Sequence, residues 1–170
     1  DIPDDGVEEN IIKSITGRVI SRDVSDYKVS LIDDNIERLG ISNIDVQVYN
    51  ALDKDDSLVG KADIVIADLP CSGLGIMGRK PDIRYNISPE KISDIIRLQR
   101  DILEVVSMYV KPGGTLVYST CTINRSENED NADWICTSLG FTRDGEYVQM
   151  LPSPDKDNDG FFVARLIKNS

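Results

Sequence analysis

What most restricts the fold of this chain is an alternation of short apolar, β-branched runs with stretches of helical period. Gly17-Arg18-Val19-Ile20-Ser21 reads as a strand and is followed by Asp23. Residues 26–39 read as a helix. Ser25 or Asp26 can cap it, Leu31, Ile32, Ile36 and Leu39 form its apolar face, and Gly40 ends it. Residues 45–49 make a second strand, followed by Asn50-Ala51, and residues 62–67 a third. Ser88-Pro89-Glu90 opens a long helix, with Ser88 as cap and Pro89 at the first helical position. Its buried stripe is Ile92, Ile95, Ile96, Leu103 and Val106. Lys111-Pro112-Gly113-Gly114 breaks it ahead of a fourth strand, Thr115-Leu116-Val117-Tyr118. Residues 127–139 form another helix, closed by Gly140. Two further strands, near 146–150 and 161–167, are joined by the polar loop 152–160, which carries Asp155, Asp157 and Asp159.

Such alternation predicts an α/β fold with a mostly parallel sheet, helices on both faces and a closing antiparallel strand pair. At 170 residues the chain fits a single domain, 1–170, with one core. No apolar run approaches the ~20 residues that span a bilayer, so no membrane partner is expected. The formal net charge of −11 argues against a free-standing nucleic-acid binder, which normally carries a basic footprint. Positive charge is local instead: Arg79, Lys80 and Arg84 lie close together. A solvated surface loop and a phosphate-contacting loop both remain open for them.

Two cysteines stand apart from ordinary core cysteine. Cys71 sits in Asp68-Leu69-Pro70-Cys71-Ser72-Gly73, directly after the run Ile64-Val65-Ile66-Ala67. Cys121 sits in Ser119-Thr120-Cys121-Thr122, directly after the fourth strand. Open α/β sheets place their chemistry in the crevice beyond the carboxyl ends of the strands. Both thiols are therefore expected in one crevice beside the carboxylate of Asp68, in a chain with no histidine. Cys136, in Trp134-Ile135-Cys136 on a helix, reads as a small core residue. Three cysteines without histidine or a Cys-x-x-Cys pair disfavour a metal site. The odd count and the absence of a signal peptide disfavour a structural disulfide and are what a reducing cytoplasm would show.

Taken together, Asp68-Leu69-Pro70-Cys71-Ser72-Gly73, Ser119-Thr120-Cys121-Thr122 and Asp159-Gly160-Phe161-Phe162-Val163-Ala164-Arg165 resemble the Sun family of RNA cytosine-5 methyltransferases, particularly its bacterial small-subunit ribosomal RNA enzymes. Arg22-Asp23-Val24-Ser25 and Arg79-Lys80-Pro81-Asp82-Ile83-Arg84 fit the same pattern, and the resemblance runs from about Gly17 onward. It implies a class I, Rossmann-like methyltransferase fold, S-adenosylmethionine as cofactor and ribosomal RNA as partner. Carbon 5 of cytosine is a poor nucleophile, and a thiolate added at carbon 6 makes carbon 5 electron-rich enough to accept a methyl group. The resemblance assigns that addition to Cys121 and the assistance of release, in the elimination step, to Cys71. Asp68 is expected to hydrogen-bond the cytosine edge and to face the methionine end of the cofactor.

For the cofactor, Asp23 just past a strand is placed to accept from ribose hydroxyls, as acidic residues do in nucleotide-binding α/β folds, although a solvated surface aspartate fits there too. Asn50 stands where the family usually carries aspartate near the adenine; an amide can still bond an adenine edge. The family's first strand and its glycine-rich loop have no counterpart in Asp1–Thr16. The chain is therefore expected to be a C-terminal fragment, with its sheet opened between the Val19 and Val65 strands. A non-catalytic remnant acting as a binding or structural domain is the alternative. A nicotinamide-dependent dehydrogenase is disfavoured by the lack of Gly-x-Gly-x-x-Gly after a first strand. A DNA adenine methyltransferase is disfavoured by Pro70-Cys71-Ser72 where Pro-Pro-Tyr would stand.

Overall fold

The computed structural model describes residues 17–153, Asp155 and 158–170. The reading of Asp1–Thr16 lies outside the described residues. The chain divides into two compact units, Asp1–Asp53 and Lys54–Ser170.

In the first unit, β1 (Val19–Asp23) and β2 (Ile44–Val48) pair in parallel, from Val19 opposite Ile44 to Asp23 opposite Val48. The crossover between them is α1 (Asp26–Leu39). It begins where the sequence predicts: Ser25 is extended and its side chain accepts from the Lys28 amide, satisfying one of the donors every helix start leaves over. It ends at Gly40, whose φ of 65° is open to glycine at little cost, and whose N–H closes back on the last turn. Val29 is the residue of α1 that is buried.

In the second unit the elements run β3 (Ala62–Asp68), a 3-10 turn (Leu74–Ile76), α2 (Ile83–Asn86), α3 (Pro89–Ser107), β4 (Val110–Thr120), α4 (Glu129–Ser138), β5 (Phe141–Arg143), β6 (Val148–Met150) and β7 (Phe161–Lys168). The sheet order is β3-β4-β7-β5, with β6 also on β7. β3 and β4 are parallel, and β7 is antiparallel to β4, β5 and β6. Among the described residues the strands fall into two sheets, β1-β2 in the first unit and the five strands of the second. Ser88 caps α3 as predicted, accepting from the Lys91 amide with Pro89 in the first turn.

Three details depart from the expected layout. β4 starts at Val110 and absorbs Lys111-Pro112-Gly113-Gly114, which the sequence reads as a break; the register with β3 shifts between Ala62 and Ile64 to accommodate it. β5 adds a further antiparallel pairing, and its three residues are too short for any period to show. The helix expected to begin at 127 begins at Glu129, because Glu127 and Asn128 turn their side chains into the interior. The core gathers Leu103 of α3, Leu116 and Tyr118 of β4, Ile135 of α4, and Phe162 and Leu166 of β7, all fully buried. The Tyr118 and Phe162 rings meet edge to face at 6.1 Å.

Candidate active site

β3 and β4 are in register from Ile64 opposite Thr115 to Asp68 opposite Ser119, so their carboxyl ends finish side by side. Cys71 and Cys121 lie just beyond those ends, and their sulfurs are 3.3 Å apart, within hydrogen-bond reach as free thiols. Burial first, and then the hydrogen bond with the neighbouring thiol, push the Cys71 thiol up to about 12. At neutral pH Cys71 thus keeps its proton, and either sulfur can donate to the other. Asp68 ends β3 exposed, and its carboxylate accepts from the Ser119 hydroxyl at 3.0 Å, two residues before Cys121.

The two cysteine loops are bound together behind the thiols. The hydroxyls of Ser72 and Thr122, each next to a cysteine, are 2.8 Å apart. Glu127 is fully buried, and one of its oxygens accepts from the Ser72 amide at 2.8 Å while the other accepts from the Asn124 side chain at 2.9 Å. Gln99 of α3 donates to the Pro70 carbonyl at 2.9 Å and receives from Asn131 at 2.8 Å. Asn128 receives the Thr120 hydroxyl at 2.6 Å and donates to the Thr122 carbonyl at 3.0 Å. Tyr118 donates its hydroxyl to the Glu127 carbonyl. Below Cys71, Gly75 donates its N–H to the Cys121 carbonyl and accepts from Gly160. A β-carbon at Gly75 would sit 2.6 Å from the Gly160 oxygen and 2.7 Å from that of Cys121, so only glycine allows this approach.

A cavity of about 260 Å³ opens beside Cys71, with Asp82, Ile83, Asn86 and Lys91 in its wall. Lys80 and Arg84, exposed, flank this stretch, and Arg79 is paired with Asp159 at 3.2 Å. The candidate cofactor residues lie in the first unit. Asp23 ends β1, accepts from the Ser25 amide at 2.8 Å and pairs with Lys28 at 3.2 Å. Those contacts, the Ser25 N–H foremost, hold its carboxyl below the usual value. Asn50 follows β2 and accepts from the Leu52 amide at 3.1 Å. Cys136 is half-buried and packs against the core, as its sequence setting suggests.

Sequence reasoning passed over Gln99, Glu127, Asn128 and Asn131. A signal was present: Asn124, Glu127, Asn128 and Asn131 recur at the spacing of one helical face. Polar residues at that spacing suggest a solvated face, whereas here the face is turned inward and each group finds a partner.

With this geometry in hand, comparisons with known proteins are informative. The family described as 16S rRNA methyltransferase RsmB/F matches residues 10–167. Ribosomal RNA small subunit methyltransferase F of Salmonella paratyphi A is 35% identical over 91% of this chain and 36% of its own length. The protein of the same name from Aliivibrio salmonicida is 31% identical over the same shares. The solved structure of NSun6 from Pyrococcus horikoshii with SFG is similar at a TM-score of 0.74 and 26% identity, over 91% of this chain and 42% of that one. The chain thus spans about a third of the length of the curated relatives it matches.

Proposed function

The chain belongs to the RsmB/F family of 16S rRNA methyltransferases, and from that premise we propose that it serves methylation of carbon 5 of a cytosine in ribosomal RNA through a covalent bond to Cys121. The observation that carries this reading is the 3.3 Å approach of two free thiols at the ends of adjacent parallel strands. Addition and release are opposite halves of one reaction at one ring carbon, and two sulfurs in contact can both reach it.

Cys121 loses its proton to solvent and adds to carbon 6 as thiolate, and the ring electrons move toward carbon 5. S-adenosylmethionine supplies an electrophilic methyl group on a sulfonium. For release, carbon 5 gives up its proton to solvent base and the electrons of that bond restore the 5,6 double bond. In the same step the carbon–sulfur bond breaks with its pair returning to Cys121. Cys71, which holds its proton to about 12, donates a hydrogen bond to the returning thiolate and so eases the departure. Asp68, steadied by Ser119, receives the amino and ring-nitrogen edge of the cytosine.

The residues present fit the cofactor. Asp23 is anionic at a strand end, the setting in which a carboxylate accepts from ribose hydroxyls. The Oδ1 of Asn50 already serves Leu52, so its amide nitrogen is the group to donate to an adenine ring. Lys80 and Arg84, with Arg79 at their edge, contact RNA phosphates on this reading. The RNA presents its cytosine unpaired or flipped, since carbon 6 is inaccessible to a thiol inside a stack.

Two alanine substitutions in the natural gene product test the reading, with target ribosomal RNA, methyl incorporation and denaturing electrophoresis. Cys121→Ala is expected to abolish methylation and form no adduct. Cys71→Ala is expected to add to the base and stall, leaving a stable protein–RNA species on the gel. An adduct that accumulates with Cys121→Ala and disappears with Cys71→Ala reverses the roles. Full activity in both variants would make the thiols structural and the mechanism proposed here wrong.

A further inference from the structure

We infer that Glu127 is a positioning residue that sets the distance between the two thiols; its catalytic consequence rests on the functional reading above, whereas the geometry does not. The carboxylate is fully buried, yet among the described residues its oxygens are met by amide donors rather than by lysine or arginine. Burying a carboxylate in this way is unfavourable unless its acceptors are needed where they stand. Each oxygen serves a different cysteine loop. One takes the N–H of Ser72, next to Cys71. The other takes the Asn124 amide, and Asn124 in turn donates its backbone N–H to the Thr122 hydroxyl, next to Cys121, at 3.2 Å.

An acceptor-only group is required here. Two donors converge on Glu127 from two loops, and a glutamine would offer one of them an NH2 group, donor against donor. Its tie to the rest of the core is slight: Gln99 Nε2 reaches one oxygen at 3.4 Å, while Tyr118 is bonded to the backbone carbonyl of Glu127. The side chain is thus a spacer between loops. Freed from it, the loops would still be joined by the Ser72–Thr122 hydroxyl contact, but without a fixed separation of the sulfurs.

The test reads thiol spacing directly. Phenylarsine oxide, a trivalent arsenical, binds tightly when two thiols can reach one arsenic atom; iodoacetamide reports each thiol singly. In a Cys136→Ser background, so that only the pair is read, Glu127→Gln is expected to weaken arsenical binding by about tenfold or more, the size of one misplaced buried hydrogen-bonding group. Single-thiol alkylation and far-UV circular dichroism should hold, the former within about twofold. The double variant Asn124→Asp with Glu127→Gln restores one donor to one acceptor at each contact, and is expected to recover binding to within about threefold. Should Glu127→Gln fail to fold, Asn124→Ala decides the point, because it leaves the Ser72 contact of Glu127 in place and cuts the thread toward Cys121, together with the local Ser126 N–H contact; about a threefold loss is expected. Arsenical affinity equal to the parent in Glu127→Gln, or in Asn124→Ala where that variant decides, overturns the inference. In the natural gene product with ribosomal RNA, Glu127→Gln should slow adduct formation and leave RNA affinity unchanged; an affinity loss with an unchanged adduct rate also overturns it. Methylation surviving in Cys121→Ala would refute the functional reading alone, and the arsenical result would stand.

Discussion

The two units of this chain hold themselves together differently. Among its described residues the first has α1 on a two-stranded sheet and one buried apolar residue, Val29, while Val19, Tyr27, Leu31, Leu39 and Val48 are exposed. The second surrounds Leu103, Leu116, Tyr118, Ile135, Phe162 and Leu166 and adds a buried polar network behind the thiols. Local signals, a cap at each end of a helix and one parallel ladder, define the first unit. Long-range packing defines the second, and the residues assigned to bond-making sit there. A nucleophile must be held to within fractions of an ångström, which a rigid interior provides, whereas hydrogen bonds to a bound nucleoside tolerate more play.

Substitutions can break or sharpen this contrast. Leu103→Ala, in the second unit, should destabilise by about 3 kcal/mol, read as a fall in the denaturation midpoint of Trp134 fluorescence, while Leu31→Ala, half-exposed on α1, should stay below about 1 kcal/mol by circular dichroism. Equal losses at the two sites would erase the contrast. Gly75→Ala forces a β-carbon against two backbone oxygens and should destabilise the second unit by about 2 kcal/mol. An unchanged unfolding midpoint would show that the loops below Cys71 can part. Removing a helix cap should give about 1 kcal/mol in either unit. Ser25→Ala should then appear as faster hydrogen exchange across α1, and Ser88→Ala as fraying confined to the first turn of α3. A further effect concerns pH. The folded Cys71 value lies above its ordinary 9.0, at about 12, so the associated stability is full below about 9 and is lost as pH rises toward about 12. Denaturant titrations at stepped alkaline pH should show a shallower decline in Cys71→Ala than in the parent; identical slopes would mean the thiol is not desolvated as the geometry implies.

Much of this was legible in the sequence because it is written locally. Ser25, Gly40 and Ser88-Pro89 mark helix boundaries through their own backbone chemistry. The meeting of Cys71 and Cys121 followed from topology: two strands that run parallel and in register must finish together. What escaped was written across distance. β5 is three residues whose strand character comes from pairing with β7. The partner of Arg79 is Asp159, eighty positions away in a loop that looked merely acidic. Glu127 reads in sequence only as the start of the helix at 127–139, and only the closure of two loops over it reveals a buried acceptor.

The position of β7 bears on how the second sheet is assembled. It is the last strand in chain order among the described residues, yet it lies inside the sheet, with β4 along one edge and β5 and β6 end to end along the other. On a ribosome adding about 5–20 residues per second, β3 and β4 emerge and wait several seconds with an unpaired flank before Phe161–Lys168 follows. During that interval β4, with its apolar run Leu116-Val117-Tyr118, is an open template for any other extended segment. Chain order therefore makes the nascent sheet, rather than the finished one, the form most exposed to mispairing.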